Sequence, residues 1–494
     1  MTITAQDLYN FTKCAHRVYL DAHGNPDERR DVNAFVKMLW EMGLQTEKEH
    51  LASLGTVPLE DLQTLSIEAA RSRTRELMAA GSALIYQGAI AAGDWLGRPD
   101  LLVRRDDAPS AFGDYYYEAI DIKAGRGWEE RDGKKTRFKH HYAFQILFYR
   151  EILRKIQGAA APVGRIINVD NELEEFDPQS FEPSFADAMV EVARLVSGDD
   201  HSEPVLGSAC QLCEWYTKCR RWVEATSDPT GLFFVGKVKF ELKRVGLRTI
   251  GDIAAMDIDQ YSKGPKKIPG VGTTSLKRMK ERAEVALAGK PRIRAGYQFP
   301  EAPREIYFDI EDDPTRDVVY FYGVVIKEDV QAPVFRYFMA DRPGDEEQTV
   351  RAFWQFIAEN PLAVFYVYSP KERSTLRRLM HRYSLDAVVF ERYVTQEFDL
   401  YTDLIVPYSD WPTYSYGIKQ IARQVGFQWR DSDAGGANSI AWYNEYLADP
   451  TRPELKQRII DYNEDDCRAM IAVKEYFDRQ RALRRKESSH EETA

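Results

Sequence analysis

Four of the five cysteines are spaced as metal ligands. Cys14 stands alone in Phe-Thr-Lys-Cys-Ala-His, and Cys210, Cys213 and Cys219 follow as C-x2-C-x5-C. Thiolates that share a soft metal centre need short local spacing for some ligands and a fold to deliver the rest; zinc and a [4Fe–4S] cluster both satisfy four of them. Cys467 falls in an amphipathic helical pattern and reads as a small buried filler. The carboxylates form two sets. One is ordered His50, Asp100, Asp121-x-Lys123 and Gln145-x-x-x-Tyr149; the other is Asp309-x-Glu311 with Tyr462-x-x-x-Asp466 far downstream. Hydrolysing a phosphodiester needs a divalent metal such as Mg²⁺ or Mn²⁺ held by carboxylates, an activated water, and a cation near the developing charge. The first set offers carboxylates and a lysine; the second offers carboxylates and a tyrosine.

Local pattern places these residues. Tyr115–Lys123 is rich in aromatic and β-branched residues and predicts a buried strand, on which Asp121 and Lys123 share a face. Glu118 has the opposite parity and reads as a salt-bridge partner. Asp100 follows a glycine turn and opens the strand-like run Leu101-Leu102-Val103. His50 lies on a predicted helix, Leu39–Leu54. Gln145 and Tyr149, four apart on the amphipathic run 142–156, share one helix face. The basic run Lys134–His141 precedes that helix, which makes phosphate contacts plausible there. In the second set Ile306–Ile310 predicts a strand with Asp309 and Glu311 on one face. Runs at 318–326 and 334–339 read as strands, 346–359 as a helix, 363–369 as a strand and 372–383 as a helix. Tyr462 and Asp466 share a helix face.

The bounds fit a multidomain α/β protein. At 494 residues the chain accommodates two to four domains, with 44% hydrophobic and 29% charged residues. No run of about 18 apolar residues is present, so a cytoplasmic protein without a membrane span is expected. There the clustered cysteines point to metal rather than disulfides. The net charge of −11 tells against a nucleic-acid partner at first. Residues 236–294, however, carry nine Lys and six Arg against six acids, so 15 − 6 gives +9 there and −20 elsewhere. Within that stretch, Val245–Ile253 and Ile268-Pro269-Gly270-Val271-Gly272 predict helix-hairpin-helix elements. Gly270, Gly272, Thr273 and Lys277 would face a phosphate, with Arg278 and Lys280 beyond.

The first set and the cysteine frame together resemble the RecB-like branch of the PD-(D/E)XK nucleases, and in particular its iron–sulfur members. The resemblance implies a restriction-endonuclease-like domain over residues 1–227. His50, Asp100 and Asp121 would be metal ligands, Lys123 a cation at the phosphate, and Gln145 and Tyr149 substrate contacts. It also favours [4Fe–4S] over zinc at Cys14, Cys210, Cys213 and Cys219. Residues 300–480 resemble ribonuclease H-like exonucleases of the DnaQ/DEDD type, tyrosine subclass. There Asp309, Glu311 and Asp466 would hold metal, and Tyr462 would orient water. The usual Asn-x-x-x-Phe-Asp motif is missing; Glu372 is taken as the replacement acid, with Asp399 and Asp403 as rivals. A basic helix-hairpin-helix segment at 228–290 and a disordered tail at 481–494 complete the expected layout. The function expected is metal-dependent hydrolysis of DNA, single-stranded or at frayed ends, in repair or defence. No Walker A sequence occurs, so any helicase would be a separate protein. Two alternatives stay open: a nucleic-acid-binding scaffold with one or both sites vestigial, and an exonuclease acting on RNA.

Overall fold

The computed structural model describes residues 2–55, 57–131, 134–199, 201–328, 331–432 and 435–491. The chain divides into two units: 1–32, 36–205 and 209–218 make the first, and 33–35, 206–208 and 219–494 the second. Among the described residues no helix is long and apolar enough to cross a membrane.

The first unit is built on a six-stranded mixed sheet. Its strands are β1 (Glu60–Asp61), β2 (Leu84–Tyr86), β3 (Leu101–Arg105), β4 (Tyr116–Ile122), β5 (Gly164–Ile167) and β6 (Leu173–Phe176), arranged β6-β5-β4-β3-β2-β1. β4 is buried along its whole length, antiparallel to β3 and parallel to β5. Its alternation sorts side chains to two faces. Tyr117 and Ala119 join the core that also takes Phe144, Ile146, Leu147 and Phe148 of a helix at His140–Gln157. Ile120 and Ile122 face the other way, where Leu51 and Leu54 pack at the end of a helix at Ala34–Ser53. These helices are α2 (Ala34–Ser53) and α3 (His140–Gln157), after α1 (Ala5–Lys13). Gln157 closes α3 onto the strand: its amide accepts from Tyr117 N at 2.9 Å and donates to Tyr117 O at 2.7 Å, satisfying backbone groups that would otherwise be buried unpaired. Glu118, on the opposite face from Asp121, is paired with Arg105 and Arg165, as its parity predicts.

The second unit carries a five-stranded sheet of β7 (Glu305–Asp313), β8 (Val318–Lys327), β9 (Val334–Met339), β10 (Val364–Val367) and β11 (Glu397–Asp399). The order is β9-β8-β7-β10-β11, an antiparallel meander of three strands extended by two parallel ones. β8 is nearly all apolar and buried, as a central strand must be; β7 is mostly buried too, but alternates apolar residues with acids. The helices used below are α4 (Val238–Arg244), α5 (Ile250–Ala255), α6 (Ile258–Ser262), α7 (Thr273–Ala288), α8 (Glu346–Ala358), α9 (Lys371–Tyr383), α10 (Ile418–Gln424) and α11 (Pro453–Glu491). α8 and α9 cover one face of the sheet through Phe353, Ile357, Leu376 and Leu379; Ile459, Met470 and Phe477 of α11 belong to the core on the other. The tail expected to be disordered from Arg481 instead continues α11 to Glu491. Arg481–Glu487 contains only helix formers with no Gly or Pro, and Arg481 and Arg484 bond to Asp478 and to the Ile293 carbonyl. Residues 492–494 lie outside the described ones.

α4 to α7 form a small helical layer with its own apolar core, including Leu242, Ile253, Leu276 and Met279. Asp410 ties it to the sheet domain. That carboxylate is fully buried and meets Arg278 at 3.5 Å, Arg282 at 3.3 Å and Arg294. Arg278 also donates to the Val406 and Ser409 carbonyls, and Lys280 to the Met256 carbonyl. The expectation that Arg278 and Lys280 serve a phosphate is therefore corrected: both side chains turn inward to structural acceptors. Removing one member of such a buried cluster leaves uncompensated charge. Asp410→Ala should lower unfolding free energy by about 3–5 kcal/mol, read from urea titration. An unchanged midpoint would show that the layer does not depend on this carboxylate.

Candidate active sites

The second unit gathers acids where three elements meet. Asp309 and Glu311 sit two apart on β7, just before a bulge between Glu311 and Asp312, so both project to one face. Asp466 comes from α11. Among the described residues these three alone bring ligand atoms of three His, Cys, Asp or Glu side chains within 4.8 Å of one another. Carboxylates crowded out of water resist ionisation. Asp309 is held well above the ordinary aspartate range by burial, then by Glu311, Asp466 and Glu372, against the pull of Lys371. Burial and Asp466 push Glu311 up to about 8. Asp466 is raised by burial, although Lys419, Tyr462 and Trp429 oppose the rise. Hard oxygen donors of this kind, carrying more negative charge than their surroundings neutralise, fit Mg²⁺ or Mn²⁺.

Glu372, in the first turn of α9, is buried and accepts from Ser369 Oγ at 3.0 Å. It bears directly on Asp309, and burial, with Asp399 adding, lifts it to about 7. The two rivals do something else. Asp399 accepts from Tyr401 N and Thr402 Oγ1 at 2.9 Å each, capping the next turn, while Asp403 accepts from Asp399 N. Tyr462 is buried beside Asp466. Burial, Asp466, Glu311 and Asp309 hold its hydroxyl protonated well beyond neutral pH.

Four residues that sequence reasoning missed complete this site. Lys419 of α10 places Nζ 3.1 Å from Tyr462 Oη, and Trp429 Nε1 donates to Asp466 Oδ1 at 2.6 Å. Asn463 Nδ2 donates to Asp309 Oδ2 at 2.7 Å. Gly323 pairs with Asp309 across β7 and β8, and a Cβ there would fall 1.7 Å from Asn463 Oδ1. The glycine is what admits Asn463. Only Asn463 carried a signal, its place within Tyr462–Asp466; Lys419, Trp429 and Gly323 come from separate segments with no motif. Cys467 is fully buried, with Sγ 3.4 Å from the Gly323 carbonyl, as a filler should be.

The first unit brings together most of its predicted set. Lys123 Nζ donates to Asp121 Oδ2 at 2.7 Å and to Gln145 Oε1 at 3.0 Å. Asp100 Oδ2 accepts from Ile122 N at 2.8 Å, and Asp121 Oδ1 lies 3.3 Å from Asp100 N. Burial, followed by Asp121 and Glu47, raises Asp100 well above its ordinary range; Lys123 counters it. Burial works against the Lys123 ammonium, but Asp121 and Asp100 outweigh it and raise its pKa. Tyr149 is buried, is influenced by Asp121 and Asp100, and lies against Gly97, where a Cβ would meet its ring at 2.7 Å. His50 is placed otherwise. Its helix serves the sheet face opposite Asp121, and its Nδ1 pairs with Asn171 Oδ1. Glu47, one turn earlier, takes the inward place. Gln87 Nε2 bridges Glu47 Oε1 at 2.7 Å and Asp100 Oδ1 at 2.9 Å. Glu47 was missed because a helix with both Glu47 and His50 offers two candidates, and the resemblance selected the histidine.

None of the five cysteines is in a disulfide. Cys14, Cys210 and Cys213 are half-buried in the first unit; Cys219 falls in the second. Burial raises the Cys213 thiol and Cys14 adds to the rise. Arg30 braces the loop between, donating to the carbonyls of Gln211 and of Cys213, the latter at 2.9 Å. Among the described residues no three of these thiols bring their Sγ atoms within 4.8 Å of one another. In the helical layer Gly270 (φ +73°), Gly272, Thr273 and Lys277 are exposed at the start of α7, with Gly272 as its N-cap.

Residues 306–477 match the family model RNase_H_2 of the RNase_H superfamily. No curated protein matches the chain. The matched segment contains β7 to β11 and all of the acids of the second site. It is a ribonuclease H-like domain, and the chemistry that accompanies that fold is metal-dependent and of nuclease type.

Two outcomes follow from the second site. With divalent metal chelated, stability should fall as pH rises from about 5 to about 8, because folded Glu311 and Glu372 retain protons that the unfolded chain has released. Glu311→Gln should flatten that fall and raise the melting temperature at the alkaline end; identical melting profiles for variant and parent would contradict it. Gly323→Ala should push Asn463 off Asp309 and cost about 10–100-fold in metal-dependent activity, as loss of a ligand's orienting partner does. Full activity in that variant would mean Asn463 does not position Asp309.

Proposed function

We propose that this chain is a metal-dependent deoxyribonuclease that removes nucleotides from single-stranded or frayed DNA ends at the ribonuclease H-like site, and carries a second, PD-(D/E)XK-type nuclease site in its N-terminal unit. The observation that carries the reading is the convergence of Asp309, Glu311 and Asp466 within 4.8 Å in a segment matched by a ribonuclease H superfamily model. These three, with Glu372 as the fourth acid, would hold divalent cations. When bound, the cations neutralise the phosphate and acidify the attacking water. Tyr462, kept protonated, orients that water by hydrogen bonding and does not take its proton. Lys419 fixes the tyrosine hydroxyl and adds positive charge where the phosphate gains negative charge.

At the N-terminal site Asp121 and Asp100 would be the ligands, with Glu47 as the third in place of the His50 that the resemblance names. Lys123, clamped between Asp121 and Gln145, is the cation for the pentavalent phosphate. Cys14, Cys210, Cys213 and Cys219 would hold a [4Fe–4S] cluster in a structural role, since hydrolysis has no redox step. The exposed Gly270–Thr273 turn and Lys277 would contact the DNA backbone without reading sequence.

Purified protein with Mg²⁺ or Mn²⁺ should give laddered products from labelled single-stranded DNA. Asp309→Ala should erase the ladder, and Asp121→Ala should remove the remaining internal cleavage. A ladder from RNA and none from DNA would reassign the substrate; no cleavage of either in any metal would leave a binding protein. Protein purified without oxygen should be brown, absorbing broadly near ~400 nm, and Cys14→Ser should bleach it and lower the melting temperature. One zinc and no iron in that material would replace the cluster with a zinc site.

A further inference from the structure

Beside Lys123, three basic groups from two separate stretches of chain converge. Lys13, the last residue of α1, places Nζ 3.3 Å from His141 Nδ1. His141 stands in the first turn of α3 with its ring edge-on to Tyr9, centroids 5.2 Å apart, and Lys13 lies over that same Tyr9 ring at 5.5 Å. Tyr142 carries two more cations over its ring: Lys123 at 5.4 Å and Lys139 at 5.5 Å. Gly125 leaves the flank open, since a Cβ there would come within 3.3 Å of Tyr142 Oη and 4.0 Å of Lys139 Nζ.

Like charges do not gather without a cost. Burial, then Lys13, Lys139, Lys123 and His140, drives His141 down to about 3, so its imidazole stays neutral. Lys13 and Lys139 are both lowered, by burial first, and Lys139 further lowers Lys13. The two acids that act on Lys139 are already engaged: Glu174 accepts from Gly127 N and Asn168 Nδ2, and Glu129 pairs with Arg137. The group that relieves this crowding is an anion. Three ammonium groups, an imidazole and two aromatic faces next to a phosphodiesterase-type site match a phosphate with its sugar and base.

We propose that Lys13, Lys139 and His141 form a binding subsite for a non-scissile phosphate of the nucleic-acid strand whose neighbouring phosphate is cut at Asp121 and Lys123. The proposal rests on the nuclease reading of that site. The subsite holds the strand in register, so that the scissile phosphate reaches Lys123 rather than sliding past it.

The test uses the full chain with a fluorescein-labelled 12-nucleotide oligo(dT), in EDTA so that no cleavage occurs. Binding is measured by anisotropy over a range of KCl concentrations. Lys13→Gln with Lys139→Gln should flatten the slope of log Kd against log salt by about 1.4, two single-strand contacts at about 0.7 each. Lys13→Arg with Lys139→Arg should restore it, which separates lost charge from lost folding. Acetylation of surface lysines should show Lys13 and Lys139 protected by the oligonucleotide and exposed again at high salt. Unchanged slope and unprotected lysines overturn the subsite, even if Asp121→Ala abolishes internal cleavage. Protection of both lysines with cleavage indifferent to Asp121→Ala keeps the phosphate site and removes the nuclease reading on which its register role depends.

Discussion

Mutual repulsion among Asp309, Glu311 and Asp466 is the constraint around which the second unit is arranged. Three carboxylates within 4.8 Å, largely out of water, oppose folding unless something holds them. The protein supplies partial compensation from every side. Asn463 binds Asp309, Trp429 binds Asp466, and Lys371 and Lys419 face the group electrostatically. These partners do not cancel the charge, and the raised pKa values of all three acids express what is left. A divalent cation would remove the remainder, so the repulsion among these acids and their suitability for metal have one origin.

The surrounding architecture follows from that need. β7 is a buried central strand, and its neighbours on both sides fix the height of Asp309 and Glu311. The third acid comes from α11, over 150 residues later, and its helix can approach only because β8 has no side chain at Gly323. The first unit solves a related problem with a different balance. There Lys123 sits directly on Asp121, so a built-in cation neutralises one acid while Asp100 is held by Ile122 N and Gln87. The acids of the second unit would take their counter-charge from metal; the first unit carries part of its own in the chain.

Much of this was legible from residue spacing. Period-two alternation located β4 and β7 and put Asp121 with Lys123, and Asp309 with Glu311, on shared faces. Helical spacing paired Tyr462 with Asp466 and Gln145 with Tyr149. What spacing could not give are partners that meet through tertiary folding: Lys419, Trp429, Gly323 and Glu47 each lie in a segment whose local pattern shows only an ordinary helix, loop or strand. His50 was singled out by resemblance, whereas its helix serves the face opposite Asp121 and delivers Glu47 toward Asp100. Basic residues were misread for the converse reason. Arg278 and Lys280 count toward positive charge in sequence, yet Asp410 and backbone carbonyls consume them, leaving Lys277 exposed.

Asp309, Glu311 and Asp466 together form the donor set that divalent metal would occupy. Anomalous scattering from crystals of the full chain soaked in Mn²⁺ tests it without reference to substrate. The expected result is a peak bonded to carboxylate oxygens of all three acids at about 2.1 Å, lost in Asp466→Asn. Well-ordered acids with no peak at saturating Mn²⁺ would contradict it.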